Sequence, residues 1–173
     1  MYNPAVRHIK LGQLEGRRFK TLGDIGESIA ESLLHAHGFS DIVNLNEVRQ
    51  NFPFADFEAT RDGVGYLINV KARNKYETSG KLNVRYKLGS KVYTHINQLL
   101  ENPKYKVYVP AWLAIAIEAE TYDAYFGTIA DLNGSRGIGM GVRSKKRWQE
   151  MAQNQSHAYD QRMFLNTYEQ KQS

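Results

Sequence analysis

The spacing of hydrophobic and polar residues divides the chain into a few readable segments. Over Asp24–His37, at roughly 100° per residue, Ile25, Ile29, Ala30, Leu33, Leu34 and Ala36 share half of a helical wheel. Asp24 stands where an N-cap belongs and Gly38 where a left-handed residue ends a helix. Glu27 falls roughly 20° beyond Leu34, at the border of the apolar stripe. It either looks into a cleft or is simply an acid favoured by the helix dipole. Phe54–Thr60 alternates instead, with Phe54, Asp56 and Glu58 on one side and Ala55, Phe57 and Ala59 on the other. Asp62-Gly63 predicts a hairpin turn, and Tyr66–Arg73 the returning strand. On that strand Ile68, Val70 and Ala72 oppose Leu67, Asn69, Lys71 and Arg73.

Lys81–Leu88 alternates as well and reads as a strand or hairpin arm with one basic face. A helix capped by Ser90 is expected to run to Glu101, and Lys106–Val109 reads as a short strand. Ala111–Ile117 is apolar throughout, as in a strand covered on both faces, with Tyr122–Ala130 as its hairpin partner. A helix is expected near Ser144–Ala152, followed by a weakly patterned tail. The order predicts one mixed α/β domain over 1–173, with a central sheet flanked by helices. Its core would span about 22–132, between a basic N-terminal segment, 1–21, and a C-terminal helix and tail, 143–173.

Composition adds exclusions. The chain has 173 residues, enough for one ordinary core, and no cysteine, which removes disulfides, cysteine zinc sites and thiol nucleophiles. Met1–Lys20 has no signal-peptide apolar run, and Ala111–Ile117 is too short to span a bilayer. A soluble, cytoplasmic protein with no membrane partner is therefore expected. The net charge of +5 is modest. Its distribution is uneven: Lys71–Lys91 holds seven basic residues and one acid, a local +6, leaving −1 for the rest. Such a window is often only a solvated face.

Hydrolysis of a phosphodiester needs a divalent cation, an oriented water and a fixed positive charge. Hard cations prefer oxygen ligands. Two adjacent strands supply these compactly if one carries an acid and the next an oxygen ligand and a lysine two residues apart on the same face, so that acid and lysine meet over one cation pocket that a helix carboxylate closes. Asp56, then Asn69 and Lys71, stand at such positions, with the Val70 carbonyl between them as a further ligand.

Gly26-Glu27 on the first helix, Pro53-Phe54-Ala55-Asp56, and Ile68-Asn69-Val70-Lys71-Ala72-Arg73 together resemble the PD-(D/E)xK nuclease superfamily. The compact members, Holliday-junction resolvases and Mrr-like or restriction-type nucleases, are most similar. The likeness covers Gly23–Lys75, about a third of the chain. It implies a restriction-endonuclease-like fold and a Mg²⁺- or Mn²⁺-dependent endonuclease acting on DNA. Glu27 and Asp56 would bind metal, and Lys71 would position the attacking water. Arg73, Lys75, Lys81, Arg85 and Lys87 would hold the DNA backbone, so binding should weaken with salt. Many members pair two sites to cut both strands, which makes a homodimer the expected assembly.

Asn69 departs from the pattern, because the family usually carries Glu or Asp there. Either Asn69 ligates through its amide oxygen, or the acid has moved to Glu58, or the chain binds nucleic acid without cutting it. The bland alternative is an exposed ribbon with a weak Asp56–Lys71 ion pair. Other signals are discounted. Gly137, Gly139 and Gly141 lack phosphate-loop spacing and read as a flexible surface loop. His35 and His37 oppose each other on their helix, and His95 reads as structural. Arg143, Lys145, Lys146, Arg147 and Trp148 could grip phosphates and stack on a base, although a helix surface explains them too.

Overall fold

The computed structural model describes residues 15–156, with side chains from residue 22 onward. The first helix, α1, is Glu15–Ala36. It starts inside the segment read as a basic extension, so Asp24 lies within the helix and does not cap it. Its apolar stripe is as expected except at the C-terminal end: Ile25, Ile29, Ala30, Leu33 and Leu34 are buried, and Ala36 is exposed. Gly38, at φ +82°, ends it, and the Phe39 amide reaches back to the Leu34 carbonyl at 3.0 Å.

A six-stranded sheet lies against this stripe, built of β1 (Ser40–Asn44), β2 (Phe57–Arg61), β3 (Val64–Asn74), β5 (Val109–Glu118), β6 (Thr121–Thr128) and β8 (Gln149–Ser156), in the order β1-β2-β3-β5-β6-β8. The β3–β5 pair is parallel and the others are antiparallel. The mixed α/β class and central sheet expected from the sequence are thus present. Asp62 and Gly63, at φ +53° and +77°, make the two-residue turn between β2 and β3. The parallel step needs a crossover. It is supplied by the short β4 (Arg85–Lys87) and helix α3 (Val92–Glu101).

Every residue of Ala111–Ile117 is buried. Ala111, Leu113, Ile115 and Ile117 meet the core beneath α1, while Trp112, Ala114 and Ala116 meet a second core. That second core is roofed by α3 and by a two-stranded ribbon, β4 paired with β7 (Gly137–Gly139). One-turn helices, α2 (Leu45–Val48) and α4 (Val142–Lys145), complete the described elements together with a 3₁₀ turn at Ala130–Leu132. Among the described residues, no helix is long and apolar enough to cross a membrane.

Several expectations need correction. The helix expected at Ser144–Ala152 is one turn, after which Gln149–Ser156 pairs with β6 as an edge strand. The glycine-rich segment is not a loose loop but contains β7. The basic-faced strand shrinks to Arg85–Lys87, and Lys106–Val107 lie in a turn before β5 begins at Val109. The strand expected from Phe54 begins at Phe57, because Phe54, at φ +62°, sits in a bend. Lys91, not Ser90, occupies the N-cap position of α3, without a side-chain bond. The tail beyond Ser156 lies outside the described residues.

Candidate active site at the fork of β2 and β3

The β2–β3 ladder runs from Arg61–Val64 to Phe57–Ile68, and then the strands part. β3 continues to Asn74 with β5 on its other side. The Asp56 amide still donates to the Ile68 carbonyl at 2.8 Å, and its carbonyl accepts from Leu45 at 2.9 Å. Where the next ladder bond would fall, the Asp56 side chain takes over: Oδ2 accepts from the Val70 amide at 2.7 Å. The opening of the hairpin therefore fixes the carboxylate against β3. In a strand, the amide and carbonyl of one residue point to the same edge, so the Val70 carbonyl faces this fork.

Asp56 Oδ1 accepts from Asn46 Nδ2 at 3.0 Å, and the same nitrogen donates to Glu27 Oε1 at 3.0 Å. One amide thus uses both of its hydrogens to hold two carboxylates. Asn46 is held in turn by α2, where its backbone amide donates to Asn44 Oδ1 at 3.0 Å. Glu27 reaches the fork because α1 lies close on the sheet. A Cβ added at Gly26 would come within 2.5 Å of the Ala72 Cβ.

Lys71 approaches from elsewhere. Val70 and Ala72 pack toward α1, so Lys71 projects from the opposite face of β3. The three predicted groups therefore do not share one face of the sheet, contrary to the single shared pocket expected: Glu27 and Asp56 are joined through Asn46, and Lys71, from the other face, is linked to Asp56 by electrostatic reach alone. Burial raises the pKa of Asp56, against the opposing effects of the Val70 amide, Asn46 and Lys71. Burial and then the charge on Asp56 raise that of Glu27. Burial lowers the pKa of Lys71, Asp56 opposes this, and Arg73 adds to it. Such partly buried surroundings disfavour two ionised carboxylates by themselves and favour them with a cation.

Asn69 is buried, and its Nδ2 donates to the Phe54 carbonyl. An ionised acid here would set a carboxylate against that carbonyl, so the amide suits the bend at Phe54 physically. Asn69 Oδ1 is buried and has no hydrogen-bond partner among the described residues. Glu58 is engaged elsewhere: it accepts from the Tyr105 hydroxyl at 3.1 Å and pairs with Lys104 at 3.4 Å. Among the described residues no group of three His, Cys, Asp or Glu side chains could hold a metal. The oxygens at the fork are the carboxylates of Glu27 and Asp56 and the Val70 carbonyl. As a donor set they suit a hard divalent ion that keeps several waters.

The basic window separates into different roles. Lys75 pairs with Asp123 at 3.1 Å and Glu118 at 3.5 Å, so its charge is compensated within the fold. Arg73 donates to the Ala72 carbonyl at 2.8 Å. Lys81, Arg85 and Lys87 are exposed. Trp148 is buried, donates from Nε1 to the Gly139 carbonyl at 2.7 Å and packs edge-on to Trp112 at 5.0 Å. It is a core residue, so the base-stacking role considered for it does not hold. His37 Nε2 lies 2.8 Å from the Met151 carbonyl, a structural contact to β8.

Asn46 is not among the residues to which the sequence pattern points, although a signal is present. Asn44 followed by Glu47 is an N-cap pattern that marks a helix start and places Asn46 in its first turn. Compared with known family models, with curated proteins and with solved structures, the chain matches none.

Proposed function

We propose that this chain is a divalent-cation-dependent phosphodiesterase that cuts DNA, on a restriction-endonuclease-like arrangement of the mixed sheet. The reading rests on the Asp56 carboxylate, fixed at the fork by the Val70 amide and joined through Asn46 to Glu27, with Lys71 in electrostatic reach. Glu27, Asp56 and the Val70 carbonyl would hold Mg²⁺ or Mn²⁺. Bound there, the ion supplies charge neutralisation at the phosphate and the departing oxygen. The chain's own groups do the rest. Asn46 keeps the two carboxylates in register, and Val70 fixes the orientation of Asp56. Lys71, with its proton held less tightly than that of an ordinary lysine, orients the attacking water. Exposed Lys81, Arg85 and Lys87, with Arg73 nearer the site, hold the DNA backbone.

A second reading has its own support. Asn69 uses its amide to hold Phe54, and two carboxylates make a sparse cation site. On that basis the same surface binds DNA without cutting it. Supercoiled plasmid with Mg²⁺ or Mn²⁺ separates the two. The phosphodiesterase reading expects nicking that Lys71→Ala and Asp56→Ala both abolish while Glu58→Gln retains it. No nicking with either cation, or nicking that survives Lys71→Ala, rejects it.

A further inference from the structure

The β4–β7 ribbon joins two stretches of sequence that are strongly basic and contain no acid. Lys81–Lys91 contributes Lys81, Arg85, Lys87 and Lys91. Arg136–Arg147 contributes Arg136, Arg143, Lys145, Lys146 and Arg147. Pairing of Arg85 with Gly139 and of Lys87 with Gly137 brings them side by side. Two further backbone bonds extend the union, from Met140 to the Val84 carbonyl at 2.7 Å and from Leu88 to the Arg136 carbonyl at 2.9 Å.

Local sequence keeps these charges on the outside. Tyr86 and Ile138 point inward to the second core, so their neighbours Arg85 and Lys87 face solvent. Gly137 leaves room for Arg85 to lie flat across the ribbon, since a Cβ there would stand 2.6 Å from Arg85 Nε. A Cβ at Gly139 would stand 2.7 Å from Ser144 Oγ, so that glycine lets the turn carrying Arg143–Arg147 fold back onto β7. Aromatic faces steady two of the cations: Arg147 lies 4.7 Å from the Trp148 ring centre and Lys145 lies 5.9 Å from that of Tyr125. The ion pairs among the described residues engage Lys75 and Lys104, and none involves a cation of the ribbon.

The ribbon also lies on the Lys71 side of the main sheet. Its buried Tyr86 packs in the core with Trp112, Ala114 and Ala116, and the Tyr86 hydroxyl is within electrostatic reach of Arg73. Arg73 is two residues beyond Lys71 on the same face of β3.

We infer that the β4–β7 ribbon, with the turn through Arg147, is a docking surface for the phosphate backbone of duplex DNA, lying beside the β2–β3 fork and separate from it. The inference rests on the reading of DNA as the partner. A cationic face whose charges form no ion pair among the described residues complements a polyanion, and the counterions that DNA releases on binding there give a steep salt dependence. It extends the DNA-contacting residues to Arg143 and Lys146, on a different stretch of sequence from the basic window, and leaves out Lys75.

The test is fluorescence anisotropy of a labelled DNA duplex in EDTA at several salt concentrations. It compares the wild type, Arg143→Gln/Lys146→Gln, and a charge-matched control, Lys104→Gln/Lys106→Gln, on the α3–β5 connection beside β2. Each phosphate contact contributes about 0.9 to the slope of log affinity against log salt. The ribbon pair should therefore lower the slope by about 1.8 and weaken binding at low salt by about tenfold or more, while the control changes little. Lys87→Gln, on the other strand, should lower the slope by about 0.9. A wild type that does not bind, an unchanged slope in both ribbon variants, or equal losses in ribbon and control would overturn the inference. Because no metal is present, the outcome is independent of cleavage. Binding through the ribbon without any plasmid nicking rejects only the phosphodiesterase reading; Lys71-dependent nicking with an unaltered ribbon slope rejects only the docking surface.

Discussion

Replacing Asn46 with alanine is the most informative single perturbation of the fork. The amide makes two bonds of 3.0 Å, to Glu27 Oε1 and to Asp56 Oδ1, in a partly buried setting. A hydrogen bond to a charged group contributes about 1.5–3 kcal/mol. Partial exposure places these toward the lower end, so losing both should remove about 3 kcal/mol at neutral pH. With both carboxylates protonated the bonds are neutral, worth about 0.5–1.5 kcal/mol each, and the loss should shrink to about 2 kcal/mol. The sign follows from linkage. Both acids have folded pKa values raised above 3.8 and 4.5, so the folded state binds more protons and stability falls as pH rises through that window. Asn46 opposes the rise at both acids, and its removal steepens the fall. Urea unfolding reads this directly. At a slope of about 2 kcal/mol per molar, the midpoint of Asn46→Ala should drop by about 1.5 M at neutral pH and by less near pH 4. An equal drop at both pH values, or a larger one in acid, would refute the idea that Asn46 restrains two charged carboxylates.

Two other perturbations test the neighbouring contacts. Glu27→Gln removes one of the repelling charges, so in metal-free protein it should flatten the decline of stability between pH 4 and 7 and lower the pKa of Asp56; a thermal-melting series over pH measures the first and NMR titration the second. Gly26→Ala forces a methyl against the Ala72 Cβ and should destabilise by about 1–3 kcal/mol in chemical denaturation, with Ala72→Gly restoring much of the loss; an unaffected single variant would contradict the close helix–sheet contact.

Residues whose neighbours in sequence are also neighbours in space were readable. The stripe of α1, the Asp62-Gly63 turn and the two-sided burial of Ala111–Ile117 each follow from local period and turn chemistry. Glu27 and Asp56 meet through Asn46 because the first lies at a helix border and the second at the mouth of a hairpin. What period could not show was the edge. The strands part after Phe57–Ile68, so Asp56 turns into the gap, and Lys71 and Glu27 arrive from opposite faces. Asn69 looked like a weakened metal ligand, yet its amide is matched to a carbonyl in a bend that no alternation pattern reveals. The helix expected at Ser144–Ala152 gives way to a strand from Gln149 for the opposite reason. Its glutamine, glutamate, methionine and alanine favour helix locally, but β6 offers an open edge, and pairing there buries Met151 in the first core. The ribbon was hidden because its two halves lie far apart in sequence and one of them is mostly glycine.

The central claim, that the fork is a cation site built on Asp56 and Glu27, is tested most directly by titrating Mn²⁺ and following the free ion by electron paramagnetic resonance. Wild-type protein should take up about one ion per chain, Asp56→Ala should lose that uptake, and Glu58→Gln should keep it. Uptake that is absent from the wild type, or undiminished in Asp56→Ala, would contradict the account.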